Sequence, residues 1–124
     1  MGNSARPADD GPMRRGLDLW REGCPPWESG GSLLLLNPRL APVWRNRVLA
    51  AEFPDLADHV WLGTSGTSGG LKIVALSRRA LEASARAVNR HLAAGAADVW
   101  VNTLPLFHVG GLGIVVRAAL AGVP

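Results

Sequence analysis

The sequence predicts an α/β fold in which the strands of a sheet alternate with helices. Three observations carry that reading. An unbroken apolar run, Leu33-Leu34-Leu35-Leu36, lies between Gly-Gly-Ser and Asn37-Pro38, the pattern of a short buried strand. Two further apolar runs, His59-Val60-Trp61-Leu62 and Ile73-Val74-Ala75-Leu76, flank a stretch of glycine, serine and threonine. Beyond Ser77, the residues Leu81, Ala85, Val88 and Leu92 follow at intervals of four, three and four, which is one face of a helix.

Bulk properties set the frame for these elements. A chain of 124 residues has the length of one ordinary domain, and 48% hydrophobic content suits a packed core, not a disordered chain. The formal charge of +3 comes from arginines dispersed along the sequence, without a basic run or an alternation with aromatics, so no nucleic acid partner is expected. The single cysteine, Cys24, allows no internal disulfide and no cysteine-based metal site. That usage favours a reducing cytoplasm, and no metal-ligand set is expected. Leu33 to Leu36 is far shorter than the roughly 20 apolar residues of a membrane span. Val109 to Val123 is broken by glycines and Arg117, so no membrane partner is expected either.

Taken in order, Met1 to Pro12 is polar with no apolar stretch behind its charges, and reads as a disordered leader. Met13 to Ser32 mixes Trp20, Trp27, Pro25-Pro26 and Gly30-Gly31, and reads as an irregular segment with one short helical turn. Residues 1–32 are therefore set apart from a domain that starts at 33. After the Leu33 strand, Pro42 suits a first helical turn, and Trp44, Val48 and Ala51 share one side of the helix it opens. Phe53-Pro54-Asp55 ends that helix. Strands then follow at Val60 to Gly63 and at Ile73 to Leu76, and Ser77 caps the helix after them.

On that helix Arg79, Glu82, Arg86 and Arg90 lie away from the apolar stripe. The four-residue spacing from Glu82 to Arg86 and from Arg86 to Arg90 suits a solvated, salt-bridged face. His91 falls at the helix end with no role beyond solvation or the end dipole, and Gly95 closes the helix. Val99 to Leu104 reads as a further strand that delivers Pro105-Leu106-Phe107-His108 at its end. Leu112 to Ala121 reads as a helix closed by Gly122.

The stretch Thr64-Ser65-Gly66-Thr67-Ser68-Gly69-Gly70-Leu71-Lys72 carries the chemistry. It packs four hydroxyl side chains and three glycines into nine residues and ends on the only lysine of the chain. Glycines let successive backbone N–H groups turn toward one anion, hydroxyls add uncharged donors, and a lysine supplies the charge. Such runs are also common as plain turns or connectors. The lone lysine at its end and the strand-like flanks that pin it favour a loop that wraps nucleotide phosphates. It is not a Walker loop: Leu71 precedes the lysine, Ile73 follows it, and a β-branched run replaces the helix that pattern needs.

The stretch resembles the signature loop of the acyl-adenylate-forming, or AMP-binding, enzymes, Thr-Ser-Gly-Thr-Thr-Gly-x-Pro-Lys-Gly-Val followed by Ser or Thr and His. Thr64, Ser65, Gly66, Thr67, Gly69, Lys72, Val74 and Ser77 fall on matching positions. Ser68, Leu71, Ile73 and Arg78 depart from the pattern, and the missing Pro and Gly alter two positions that shape the loop backbone. A second block, Leu104-Pro105-Leu106-Phe107-His108-Val109-Gly110-Gly111-Leu112-Gly113, is similar to the Pro-Leu-Phe-His segment these enzymes place on the acyl pocket. Within the family, both blocks look most like the o-succinylbenzoate-CoA ligases of menaquinone synthesis.

The resemblance implies activation of a carboxylic acid by Mg-ATP to an acyl-adenylate, with release of pyrophosphate, and transfer of the acyl group to coenzyme A. ATP, Mg2+ and coenzyme A are the implied cofactors. Thr64, Ser65, Gly66, Thr67, Ser68, Gly69 and Lys72 are the implied phosphate contacts, and His108 is the implied catalytic residue beside the acid. A neutral imidazole there can pack against or hydrogen-bond an acyl carboxylate. His59 has no such support.

The family is several times longer, so residues 33–124 read as a partial AMP-binding domain, an N-terminal piece whose C-terminal part is missing and which is inactive by itself. Two rival readings stay open: a stand-alone nucleotide-binding remnant without catalysis, and a purely structural fragment that binds no nucleotide.

Overall fold

The computed structural model describes residues 13–15, 32–54, 56–65 and 70–122. Four strands form one mixed sheet in the order β1-β2-β3-β4: β1 Met13–Arg15, β2 Ser32–Leu35, β3 His59–Ser65 and β4 Leu71–Ser77. β1 pairs parallel with β2 and β2 parallel with β3, whereas β3 and β4 run antiparallel. Among the described residues three helices accompany the sheet, α1 Pro42–Ala50, α2 Arg78–Leu92 and α3 Val109–Ala121. The predicted α/β class is the observed one.

Each strand has an apolar reason to be where it is. All of β2 is buried, Leu33 completely, as an inner strand with neighbours on both edges must be. Leu33 and Leu35 join Val60 and Leu62 of β3, Ala85 of α2 and Leu112 and Val116 of α3 in the larger core, and Leu76, Leu81, Phe107 and Leu120 pack against it. The alternate residues face the other way. Leu34, Trp61 and Val48 of α1 form a second core, covered further by Phe53, Leu56, Ile73 and Ala75. Trp61 meets Phe53 edge to face, with ring centroids 5.0 Å apart and planes at 66°. Period-two alternation thus sends α1 to one face of the sheet and α2 with α3 to the other.

The helices start and stop by identifiable chemistry. Pro42 opens α1, where its missing N–H costs nothing. Ser77 caps α2 by accepting a hydrogen bond from the Ala80 N–H at 3.1 Å. The Arg78 N–H donates to the Asp58 carbonyl at 2.7 Å, and the Arg78 guanidinium lies 3.8 Å from the Asp58 carboxylate, joining the start of β3 to the start of α2. Gly122 ends α3 in the left-handed region, at φ 73°.

Five expectations change. Residues 13–15, read as part of an irregular segment, form β1 by pairing their backbone to Ser32–Leu34, a contact that depends little on side-chain identity. Val99 to Leu104 is not a strand: residues 99–103 pair with no strand of the sheet, with Val99 85% and Val101 72% exposed. An alternating pattern makes a strand only where a sheet edge receives its backbone. Ala93, not Gly95, closes α2 in the left-handed region at φ 52°, and its N–H donates to the Arg90 carbonyl. Leu92 therefore falls at the frayed end of the apolar stripe and is largely exposed. Glu82 pairs backward with Arg78 at 3.2 Å and not forward with Arg86.

Candidate functional site

The two flanks of the hydroxyl-rich stretch pair with one another. Seven residues of β3 lie against seven of β4, in a register that sets Leu62 opposite Val74, Thr64 opposite Lys72 and Ser65 opposite Leu71. The stretch is thus the tip of a hairpin, and its outer residues Thr64, Ser65, Leu71 and Lys72 are strand, with 66–70 as the connection. Gly66, Thr67, Ser68 and Gly69 lie outside the described residues.

The antiparallel register decides which way the lysine faces. Directly opposed residues share a face, and so do residues two apart on one strand. Thr64 and Lys72 therefore share the face of Val60 and Leu62, which carries α2 and α3. Both are exposed beside the hairpin's connection, and the Thr64 hydroxyl lies 3.5 Å from the Lys72 carbonyl oxygen. Among the described residues, no ion pair or side-chain hydrogen bond engages the Lys72 ammonium. Gly63, on the opposite face, gives the Leu71 side chain room: a β-carbon there would lie 3.2 Å from Leu71 Cδ1.

His108 is reached differently from the expected route. It is the residue before the first turn of α3, at φ −104° and ψ 139°, and not the end of a strand. Its ring is exposed and makes no capping bond, and it tilts against Phe107 with centroids 5.2 Å apart. Phe107 in turn packs on the larger core. The Phe107-His108 turn and the Thr64–Lys72 pair therefore lie on the same face of the sheet. His59 is placed elsewhere, its Nδ1 sharing a hydrogen bond with the Ala57 carbonyl at 2.8 Å.

Asn102 and Gly111 were not singled out in the sequence. The Asn102 amide spans the turn before α3, and Gly111 is where α3 rests on the backbone of Leu104 and Pro105. The doubled glycine after His108 was the available signal, since a buried helical glycine marks a close backbone approach.

Among the described residues, no cluster of three or more His, Cys, Asp or Glu side chains could hold a metal ion, and no helix is long and apolar enough to cross a membrane.

Thr64, Lys72 and the histidine-bearing turn are thus gathered on the face of the mixed sheet that carries α2 and α3. The chain is similar to acid-CoA ligases over about half its length. It is 38% identical over 69 residues to the 2-succinylbenzoate--CoA ligase of Lactococcus lactis subsp. lactis, a match that covers 56% of this chain and 15% of that protein. It is 42% identical over 59 residues to the 2-succinylbenzoate--CoA ligase of Enterococcus faecalis, covering 48% and 12%. It is 41% identical over 59 residues to a probable 2-succinylbenzoate--CoA ligase of Mycobacterium tuberculosis, covering 48% and 15%. The chain thus spans only a small part of the length of these relatives. No family model matches the chain.

Proposed function

We propose that this chain supplies the nucleotide-phosphate loop and one wall of the acid pocket of an ATP-dependent, AMP-forming acid-CoA ligase acting on 2-succinylbenzoate. The observation that carries the reading is the register of Thr64 opposite Lys72 on the face that carries α2 and α3. It puts the only lysine of the chain at the mouth of the hairpin tip, next to the hydroxyls and glycines of 66–70. The names of the similar ligases support the choice of acid and of coenzyme A as acyl acceptor.

The residues present fit the nucleotide's phosphates. The Lys72 ammonium is exposed and free of a competing carboxylate among the described residues, so its charge is available to an anion. Thr64, opposite it, supplies a neutral donor, and the hydroxyls and glycines of 66–70 lie next to both in sequence. Bound there, ATP would supply the adenylyl group that activates the acid, with pyrophosphate as the leaving group, and Mg2+ would accompany the phosphates. The chain's contribution is placement and charge neutralisation, the two demands such chemistry makes of a protein. His108 and Phe107, at the start of α3, present a hydrogen-bonding ring and an apolar ring to the acid. We read residues 33–124 as part of an AMP-binding domain, working in the cytoplasm, with the remaining machinery in the length of the relatives that this chain does not match.

The test is Mg-ATP binding by calorimetry to the wild-type chain and to Lys72→Ala, with circular dichroism to verify folding. Loss of a charged hydrogen bond is expected to weaken binding roughly 10- to 100-fold. Equal affinity in a folded Lys72→Ala would remove the phosphate-loop assignment. Nucleotide binding that never responds to 2-succinylbenzoate would reduce the function to nucleotide binding alone.

A further inference from the structure

The approach to α3 is closed by interlocking bonds. Asn102 uses both ends of its side-chain amide: Oδ1 accepts from the Leu104 N–H at 3.1 Å, and Nδ2 donates to the Gly111 carbonyl at 3.2 Å. Between those anchors, the His108 N–H donates to the Pro105 carbonyl at 3.1 Å and the His108 carbonyl accepts from the Leu112 N–H at 3.0 Å. The Pro105 carbonyl lies directly on Gly111. A β-carbon there would collide with it and stand 2.6 Å from the Leu104 oxygen. Gly110 is close as well, its missing β-carbon falling 2.9 Å from Leu104 Cδ1.

The consequence falls on His108. Its ring has no hydrogen bond of its own among the described residues, so its position is set by its backbone and by Phe107. That backbone is fixed by a turn whose only side-chain hydrogen bond to α3 among the described residues is that of Asn102. An amide is required for this tie: the Leu104 N–H needs an acceptor and the Gly111 carbonyl needs a donor. Among side chains short enough to reach both, asparagine supplies the pair.

We infer that Asn102 is the positioning residue for His108, with Gly111 as the surface its turn is pressed against. This rests on the acid-pocket role proposed for His108. Asn102 touches no substrate; it fixes where the imidazole stands when the carboxylate arrives.

The experiment compares wild type, Asn102→Ala, Asn102→Asp, His108→Ala and the Asn102→Ala/His108→Ala pair. Amide hydrogen exchange and the ring resonances of His108 are followed by NMR, and 2-succinylbenzoate binding by titration. In Asn102→Ala, exchange at Leu104 and His108 is expected to quicken about tenfold while Ala85 in α2 is unchanged. The His108 ring signals shift, and acid affinity falls about fivefold, the worth of one hydrogen bond. Asn102→Asp keeps the acceptor and loses the donor, so it restores protection at Leu104 without restoring affinity. The double variant binds no worse than His108→Ala, because one residue acts through the other.

Unchanged exchange and ring signals in a folded Asn102→Ala overturn the inference, as do losses that add in the double variant. Asn102→Leu, which keeps the side-chain shape and removes both bonds, serves as the same test should the alanine variant not fold. If His108→Ala binds the acid as wild type does, the acid-pocket reading falls, and the exchange and ring signals alone decide whether Asn102 positions His108.

Discussion

The side-chain amide of Asn89 donates to the backbone carbonyl of Arg117 at 2.9 Å, a bond between α2 and α3 across 28 residues of chain. It stands where the two helices meet over the larger core, and the Arg117 guanidinium on the same turn lies 5.8 Å from the Trp100 ring. Asn89 Oδ1 is buried without a partner, so the bond's gain is partly offset by desolvation of its own acceptor. Asn89→Ala is expected to lower the unfolding free energy by about 1 kcal/mol in urea denaturation. Asn89→Asp at neutral pH should cost more, since a carboxylate cannot donate and sets its charge against a carbonyl. Wild-type stability in Asn89→Ala would show that the bond contributes nothing.

Gly111 and Gly95 are expected to respond oppositely to alanine. At Gly111 an added methyl meets the carbonyls of Leu104 and Pro105, both backbone atoms that give way only if the turn shifts. At Gly95 it meets nothing within 4 Å. Gly111→Ala should cost roughly 2–3 kcal/mol by overpacking, and Gly95→Ala should stay within about 0.5 kcal/mol of wild type. Thermal melts rank the two, and the reverse order would mean that the turn is not seated on α3 as described.

Burial predicts a steep contrast between two leucines of this chain. Leu33 is 0% exposed at the centre of the sheet, whereas Leu92 is 57% exposed at the end of α2. Leu33→Ala is expected to cost about 2–5 kcal/mol and Leu92→Ala under about 1 kcal/mol. Ser77→Ala, which removes the α2 cap and leaves the Ala80 N–H without its acceptor, falls between them at about 1 kcal/mol. Comparable losses at Leu33 and Leu92 would contradict the core as assigned.

Local signals in the sequence were sufficient for elements that carry their own pattern. The Leu33 run, the 3.6-residue period from Leu81, the cap at Ser77, Pro42 at the head of α1 and Gly122 at the tail of α3 each reflect a nearest-neighbour preference. Long-range choices were not legible. The runs around the hydroxyl-rich stretch read as strands, but periodicity does not name a strand's partner, and their pairing into one hairpin emerged only in the fold. Val99 and Val101 alternate like a strand yet meet no sheet edge among the described residues. Ala93 takes a left-handed conformation in which its N–H meets the Arg90 carbonyl and the Ala94 N–H meets the Asn89 carbonyl, a helix-end motif usually built on glycine and here built on alanine. For the candidate site, the residue types of Thr64, Lys72 and His108 were visible in sequence. Their common face was not, since it follows from register and from the packing of Phe107.

Thr64 and Lys72 give the proposed phosphate site its internal control. They face each other on β3 and β4, one carrying a neutral donor and the other a charge. Thr64→Val preserves the β-branched shape and strand preference while deleting the hydroxyl, so the hairpin should be retained and Mg-ATP affinity should fall only about fivefold. Lys72→Ala deletes the charge as well as the donors, and its larger loss should shrink as salt is raised, because screening weakens the wild-type attraction and leaves the alanine variant little to lose. Calorimetry at low and high ionic strength separates the two contributions. A salt dependence that survives in Lys72→Ala would place the cation that attracts the phosphates elsewhere in the chain, and Thr64→Val losing as much as Lys72→Ala would make the hairpin's shape, not its charge, the deciding feature.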